Sequence, residues 1–219
     1  MASLMLEDTG RDLLAKHAAW WKRESSLLTA VPSAALGDLW LPLADGTVAR
    51  QDIDVHPEML DLDRLVGPQL APGPVEAQGD LLCTVAPYAR VPWVEAILGT
   101  PIRATIQGGS MRTIAFVDTW EDWQERPAHR SEAWFDLLKR LTEMHVARSG
   151  GRRAVAQTLM RGPCDLAEAV LGPELMCFSM YDNPASLRDF LRETVIFTQI
   201  AALTTLISSC IITFHNYLY

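Results

Sequence analysis

Apolar positions recur at helical spacing near the amino terminus, where Leu13, Leu14, Ala18, Trp21 and the Leu27-Leu28 pair predict an amphipathic helix within residues 7–30. The adjacent Trp20 and Trp21 read as packing residues of that helix. Residues 31–76 lose the period and become rich in Pro, Gly and Asp. Two strand-like pieces, DLWLPL and TVARQDIDV, flank the turn signal Asp45-Gly46 there, which predicts an ordered meander or cap without a core of its own.

From Asp80 the pattern changes to alternation. LLCTVAPYA reads as a strand, WVEAILG as a short helix closed by Gly99, and PIRATIQGG as a second strand ending in two glycines. Ser131 to Arg148 is a clear helix with Trp134, Leu137, Leu138, Leu141 and Val146 on one face. A third strand, AVAQTLM, runs into Arg161 before Gly162-Pro163. A helix over Asp165–Leu171, the piece ELMCFSMYDNP and a helix from Pro184 to about Leu203 follow. Strand–helix alternation predicts an α/β fold with parallel strands from residue 77 to 219, preceded by a helical and extended cap over 1–76. A complete (β/α)8 barrel takes about 250 residues, so the alternating region is expected to supply about half of one.

Charge and composition narrow the functional classes. The formal net charge is −8 and the Lys and Arg residues are scattered, which excludes the basic footprint of a nucleic-acid binder. Cys83, Cys164, Cys177 and Cys210 are far apart, without C-x-x-C spacing or a nearby His, and read as reduced, mostly buried thiols, neither zinc site nor disulfide framework. The amino terminus lacks the apolar run and small-residue cleavage site of a signal peptide, so a cytoplasmic location is expected. No Asp, Glu, Lys or Arg occurs in residues 194–219. That run is long enough for a bilayer, but Gln199, its Thr and Ser residues and His215 favour a buried helix followed by a β-branched strand over a membrane anchor or an aberrant terminus.

In parallel α/β folds, ligands gather at the carboxyl ends of strands. Those ends carry Tyr88 and Arg90, Gln107 and Ser110, and Arg161, a set of donors suited to a carboxylate-bearing small molecule. Each arginine has an equally weighted structural reading, as a partner of Glu95 or Asp165 or of a helix terminus. Acid–base candidates are Asp80, Glu95, Asp118, Asp165, Tyr181 and His145. Packing is preferred for His145 and an N-cap role competes for Asp165. Gly108-Gly109 lacks phosphate-loop spacing and predicts a tight turn.

Three stretches, PYARVPWVEAILGTPIRA, LMRGPCDLAEAVLGPE and MYDNPASLRDFLRETVIFTQIAA, resemble the amino-terminal half of the uroporphyrinogen decarboxylase superfamily, which also contains corrinoid-dependent methyltransferases. The resemblance spans about residues 77–203 and implies part of a TIM barrel. It implies cofactor-free loss of carbon dioxide from an acidic tetrapyrrole or other polycarboxylate, with Tyr181 at the position of the family tyrosine, while the strand-end reading gives Arg90 and Arg161 the substrate carboxylates. Arg90 occupies the place of the family aspartate, for which a shifted alignment substitutes Asp80; the Arg-Gln-x-Gly-Arg-Tyr motif is absent. The methyltransferase branch would instead bring zinc or a corrinoid, and a third alternative is a non-catalytic fragment with an apolar tail for self-association or membrane attachment. Exposed sheet edges of an incomplete barrel also predict a homo-oligomer.

Overall fold

The structure, a computed structural model, describes residues 2–30, 37–70, 78–80, 84–125, 131–149 and 154–217; within these, the side chains of 2–11, 29–30, 68–70, 78, 154, 200 and 203–217 are not described. Expectations resting on the side chains of Cys83, Cys210 and His215 therefore lie outside the described residues; Cys164 and Cys177, read as buried, are exposed. The chain begins with α1 (Ala2–Trp21), β1 (Thr29–Ala30), β2 (Ile53–Val55) and α2 (Leu62–Leu70). It continues through β3 (Gln78–Gly79), β4 (Thr84–Val85), α3 (Trp93–Ile97), β5 (Ile102–Thr105) and β6 (Ser110–Thr113). It ends with α4 (Trp120–Gln124), α5 (Glu132–Ser149), β7 (Ala154–Val155), α6 (Pro163–Asp182) and α7 (Pro184–Tyr217). The architecture is mixed α/β with a small three-stranded sheet.

Residues 1–35 and 72–84 form one compact unit; residues 36–71 and 85–219 form the other. In the first, α1 stops at Trp21, short of the Leu27-Leu28 pair, because Arg23 takes a left-handed φ of 62° and turns the chain. Strands β1 and β3 then pair antiparallel, Thr29 opposite Gly79.

In the second unit, residues 36–71 enter the core, contrary to the expectation of a coreless cap. Leu39, Leu41, Val55, Leu60, Leu65 and Val66 are buried in one cluster with Trp93, Ile97, Leu137, Leu138 and Leu141. A second cluster joins Val94, Leu98, Trp120, Trp123, Leu166, Val170 and Phe190. Helix α3 lies between the two, so all five of its residues are buried. That placement takes Glu95 inside along with its apolar neighbours. Truncating a core aromatic such as Trp93, which has no exposed surface, costs about 3–5 kcal/mol.

The strand expectations changed in two ways. First, PIRATIQGG is one arm of a hairpin: β5 pairs antiparallel with β6, Thr105 opposite Ser110, and with β2, Ile53 opposite Ala104. Gly109, at φ 63°, turns that hairpin. Second, the ladder of β7 ends at Val155, well before Arg161. Ala156 N donates to Val85 O at 2.7 Å, and two residues further along both segments the Thr158 hydroxyl donates to Pro87 O at 3.0 Å. The partners advance in the same direction, as in a parallel pair. Pro87 has no N–H to extend the ladder, and a side chain takes over. The piece ELMCFSMYDNP, for which the sequence pattern predicts no element, is helical through Asp182. Gly172 (φ 75°) kinks α6, and Pro173 begins the next turn, just as Gly162-Pro163 begins the first.

Helix α7 runs from Pro184 to Tyr217, where a helix followed by a strand was expected. No Gly or Pro interrupts residues 185–217, so the backbone meets no breaker there. Among the described residues no helix is long and apolar enough to cross a membrane.

Candidate functional site

The loop between β4 and α3 is pinned from both sides. Tyr88 donates its hydroxyl to Trp40 O at 2.7 Å, while the core residue Trp93 donates Nε1–H to Tyr88 O at 3.0 Å. Burial pushes the Tyr88 phenol up to about 12, against the opposing pull of Arg90, so it stays a neutral donor. Arg90 then extends to the β5–β6 turn and donates Nη1–H to Gly109 O at 2.9 Å. That is one of the five N–H donors of a guanidinium. Arg90 is exposed, and so are Gln107 and Ser110 on the same hairpin. Tyr88, Arg90, Gln107 and Ser110 thus belong to one loop-and-turn assembly. Gln107 and Ser110 reach it through the hairpin, a correction to their expected place at the end of a parallel strand.

Gly109 holds the assembly together. It is buried, and a Cβ there would lie 2.5 Å from Gly37 O. Gly109→Ala combines that backbone clash with a left-handed φ and is expected to destabilise by about 1–3 kcal/mol. Chemical denaturation should show it, and an unchanged midpoint would refute the close approach.

Arg161 belongs to a second cluster. Its Nε lies 3.2 Å from Oε1 of Glu95; the arginine side chain is 45% exposed and the carboxylate 1%. Oε1 makes no hydrogen bond, so the attraction is that of an ion pair with poorly aimed N–H geometry. Burial raises the Glu95 carboxyl above its ordinary range; Arg161 opposes the rise and Asp165 adds to it. The N-cap of α6 is Gly162 and not Asp165; Asp165, at the third helical position, reaches back and accepts from Gly162 N at 3.3 Å. Arg161, Asp165, Glu168, Thr113, Ala115 and Gly172 line a cavity of about 220 Å³. Thr113 and Glu168 carried no local signal in the sequence, because they reach the cavity from separate elements.

The remaining candidates are placed elsewhere. Tyr181 is 87% exposed in the last turn of α6, at the opposite end of that helix from Arg161. Asp80 sits in the unit formed by residues 1–35 and 72–84. It accepts from Leu28 N at 2.8 Å and from Lys16 Nζ at 2.6 and 2.7 Å, while His17 Nε2 lies 2.7 Å from its carbonyl. The Leu28 N–H, then Lys16, holds its carboxyl below the usual range. These contacts make Asp80 a tie between α1 and the β1–β3 pair. Asp118 is exposed, and His145 is wholly buried on α5 with neither ring nitrogen hydrogen-bonded.

Among the described residues no group of three or more His, Cys, Asp or Glu side chains is arranged to hold a metal ion. The chain matches no protein-family model, no curated protein and no solved structure.

Proposed function

We propose that this chain binds a polycarboxylate through Arg90 and Arg161 and belongs to a uroporphyrinogen decarboxylase-like carboxy-lyase built on part of a (β/α)-barrel. The observation that carries the reading is the placement of the two arginines. Val85–Pro87 and Ala156–Thr158 advance side by side in one direction, Arg90 follows the first segment and Arg161 the second. Cations beyond the carboxyl ends of parallel segments stand where α/β folds receive ligands. The sequence resemblance over residues 77–203 implies the same ligand class.

In this reading Arg90, anchored by its bond to Gly109 O, offers further N–H groups to a carboxylate in bidentate fashion. Arg161 offers a second cation. Decarboxylation breaks the bond between a substrate carbon and its carboxyl carbon; carbon dioxide departs, the electron pair stays on the substrate carbon, and a proton then takes that position. The arginines hold the carboxylates that are not lost. Tyr181 remains an exposed hydroxyl, and Asp80, already satisfied by Lys16 and Leu28, is assigned a structural role.

Titration with uroporphyrin I, followed by its absorbance, should give saturable binding. Arg90→Ala should weaken it about tenfold to a hundredfold, the loss of a charge-assisted hydrogen bond. Carbon dioxide release from the reduced uroporphyrinogen tests the chemistry. Unaltered affinity in Arg90→Ala would remove that residue from the site.

A further inference from the structure

Glu95 is a carboxylate with 1% of its side chain exposed and an oxygen that makes no hydrogen bond. Uncompensated buried charge is costly. A hydrogen bond from the backbone N–H of Glu95 itself offsets part of that cost, and its charge partner is Arg161, 3.2 Å away, which also lines the 220 Å³ cavity and reaches solvent. The closest contact is through Nε, and the guanidinium has five N–H donors to share with a ligand. One cation therefore serves two anions, one buried inside the protein and one arriving from outside.

We infer that Glu95 positions Arg161 and accepts a proton when an acidic ligand takes the guanidinium, so that anion capture at Arg161 is coupled to uptake of one proton. This rests on the polycarboxylate reading above. An incoming carboxylate competes for the guanidinium and repels ionised Glu95; a proton drawn from bulk solvent onto the Glu95 carboxylate relieves both. The charged groups acting on Glu95 among the described residues are Arg161, just before α6, and Asp165, in its first turn. Helices α5 and α7, which also pack on α3, add none. Asp165 is a second negative charge and favours the proton in the same sense. Burial raises the Glu95 carboxyl above its ordinary range, which favours the protonated form in the same sense. Linkage is reciprocal, so affinity should fall as pH rises through the titration of Glu95, by up to tenfold per pH unit.

The test is calorimetry of the full chain with uroporphyrin I as probe, from pH 5 to 9, in paired buffers of different ionisation enthalpy. Wild type should take up as much as one proton per ligand somewhere in this range. Glu95→Gln, which retains an acceptor for Nε but cannot titrate, should lose that uptake and bind more tightly at high pH. Binding without buffer-dependent enthalpy, measured on the wild type alone, overturns the role of Glu95 and leaves the polycarboxylate reading standing. Uptake that persists in Glu95→Gln overturns it too. Absence of uroporphyrin binding removes the polycarboxylate reading, and the coupling with it.

Discussion

Replacing Arg161 by alanine is expected to destabilise the fold by about 2–4 kcal/mol at pH 8, and by far less near pH 4.5. The range is that for removing one partner of a buried ion pair, reduced because the arginine is 45% exposed and partly screened. The pH dependence follows from Glu95. Its folded carboxyl is raised above the ordinary value of 4.5, so the native state holds the proton more tightly than the unfolded chain. Stability therefore declines as pH rises from about 4.5 through the folded value and then levels off. Without Arg161 the carboxyl moves higher still, and the decline extends further into the alkaline range. Urea unfolding at several pH values measures this directly. Adding Glu95→Gln to Arg161→Ala should restore most of the loss, because it removes the stranded charge. Equal destabilisation at pH 4.5 and pH 8 would show that Arg161 acts through packing alone.

Acid should act on the protein through His145. The imidazole has no exposed surface and neither nitrogen has a partner. Burial, and then the positive charge of Arg148, lowers it from 6.5 to about 4. The unfolded chain therefore takes up the proton first. Stability is full above pH 6.5, falls between 6.5 and 4, and is flat below, a total of about 3 kcal/mol. His145→Leu should flatten this limb. It should also raise the melting temperature at neutral pH, since two unsatisfied polar atoms leave the core, each worth about 1–3 kcal/mol when unpaired. Thermal melts of the two proteins from pH 4 to 8 decide the point; a leucine variant with the parental acid limb would exclude His145 as the titrating group.

Glu95 and His145 also mark where sequence reading stops. Glu95 was legible as one of the acids that Arg161 pairs with, and the ion pair is present. Its burial was not, because a five-residue helix with two apolar neighbours on each side of an acid looks amphipathic until packing covers it on both faces. His145 shares the problem. The helix it sits on was clear from Trp134, Leu137, Leu138 and Leu141, but the width of the buried face depends on α2, α3 and α7 packing around it. The site residues divide in the same way. Tyr88 and Arg90 were marked by their own loop. The carbonyl of Gly109 that holds Arg90, the Trp40 carbonyl that holds Tyr88, and the Lys16 and Leu28 groups that occupy Asp80 all come from distant segments.

By itself the sequence determined the features that act through one residue's backbone or through local spacing. Asp45-Gly46 turns the meander, Gly99 closes α3, Gly162-Pro163 starts α6, and the apolar face of α5 repeats as its spacing predicts. Each depends on torsions or neighbours within a few residues, so the signal is written where it is used. Tertiary structure alone decided pairing direction, burial and convergence. It made PIRATIQGG half of an antiparallel hairpin, stopped β7 short where Pro87 offers no N–H, drew residues 36–71 into the core, and placed Arg161 between an enclosed carboxylate and an open cavity. Those outcomes depend on which distant groups meet, and on how much solvent each excludes from the other.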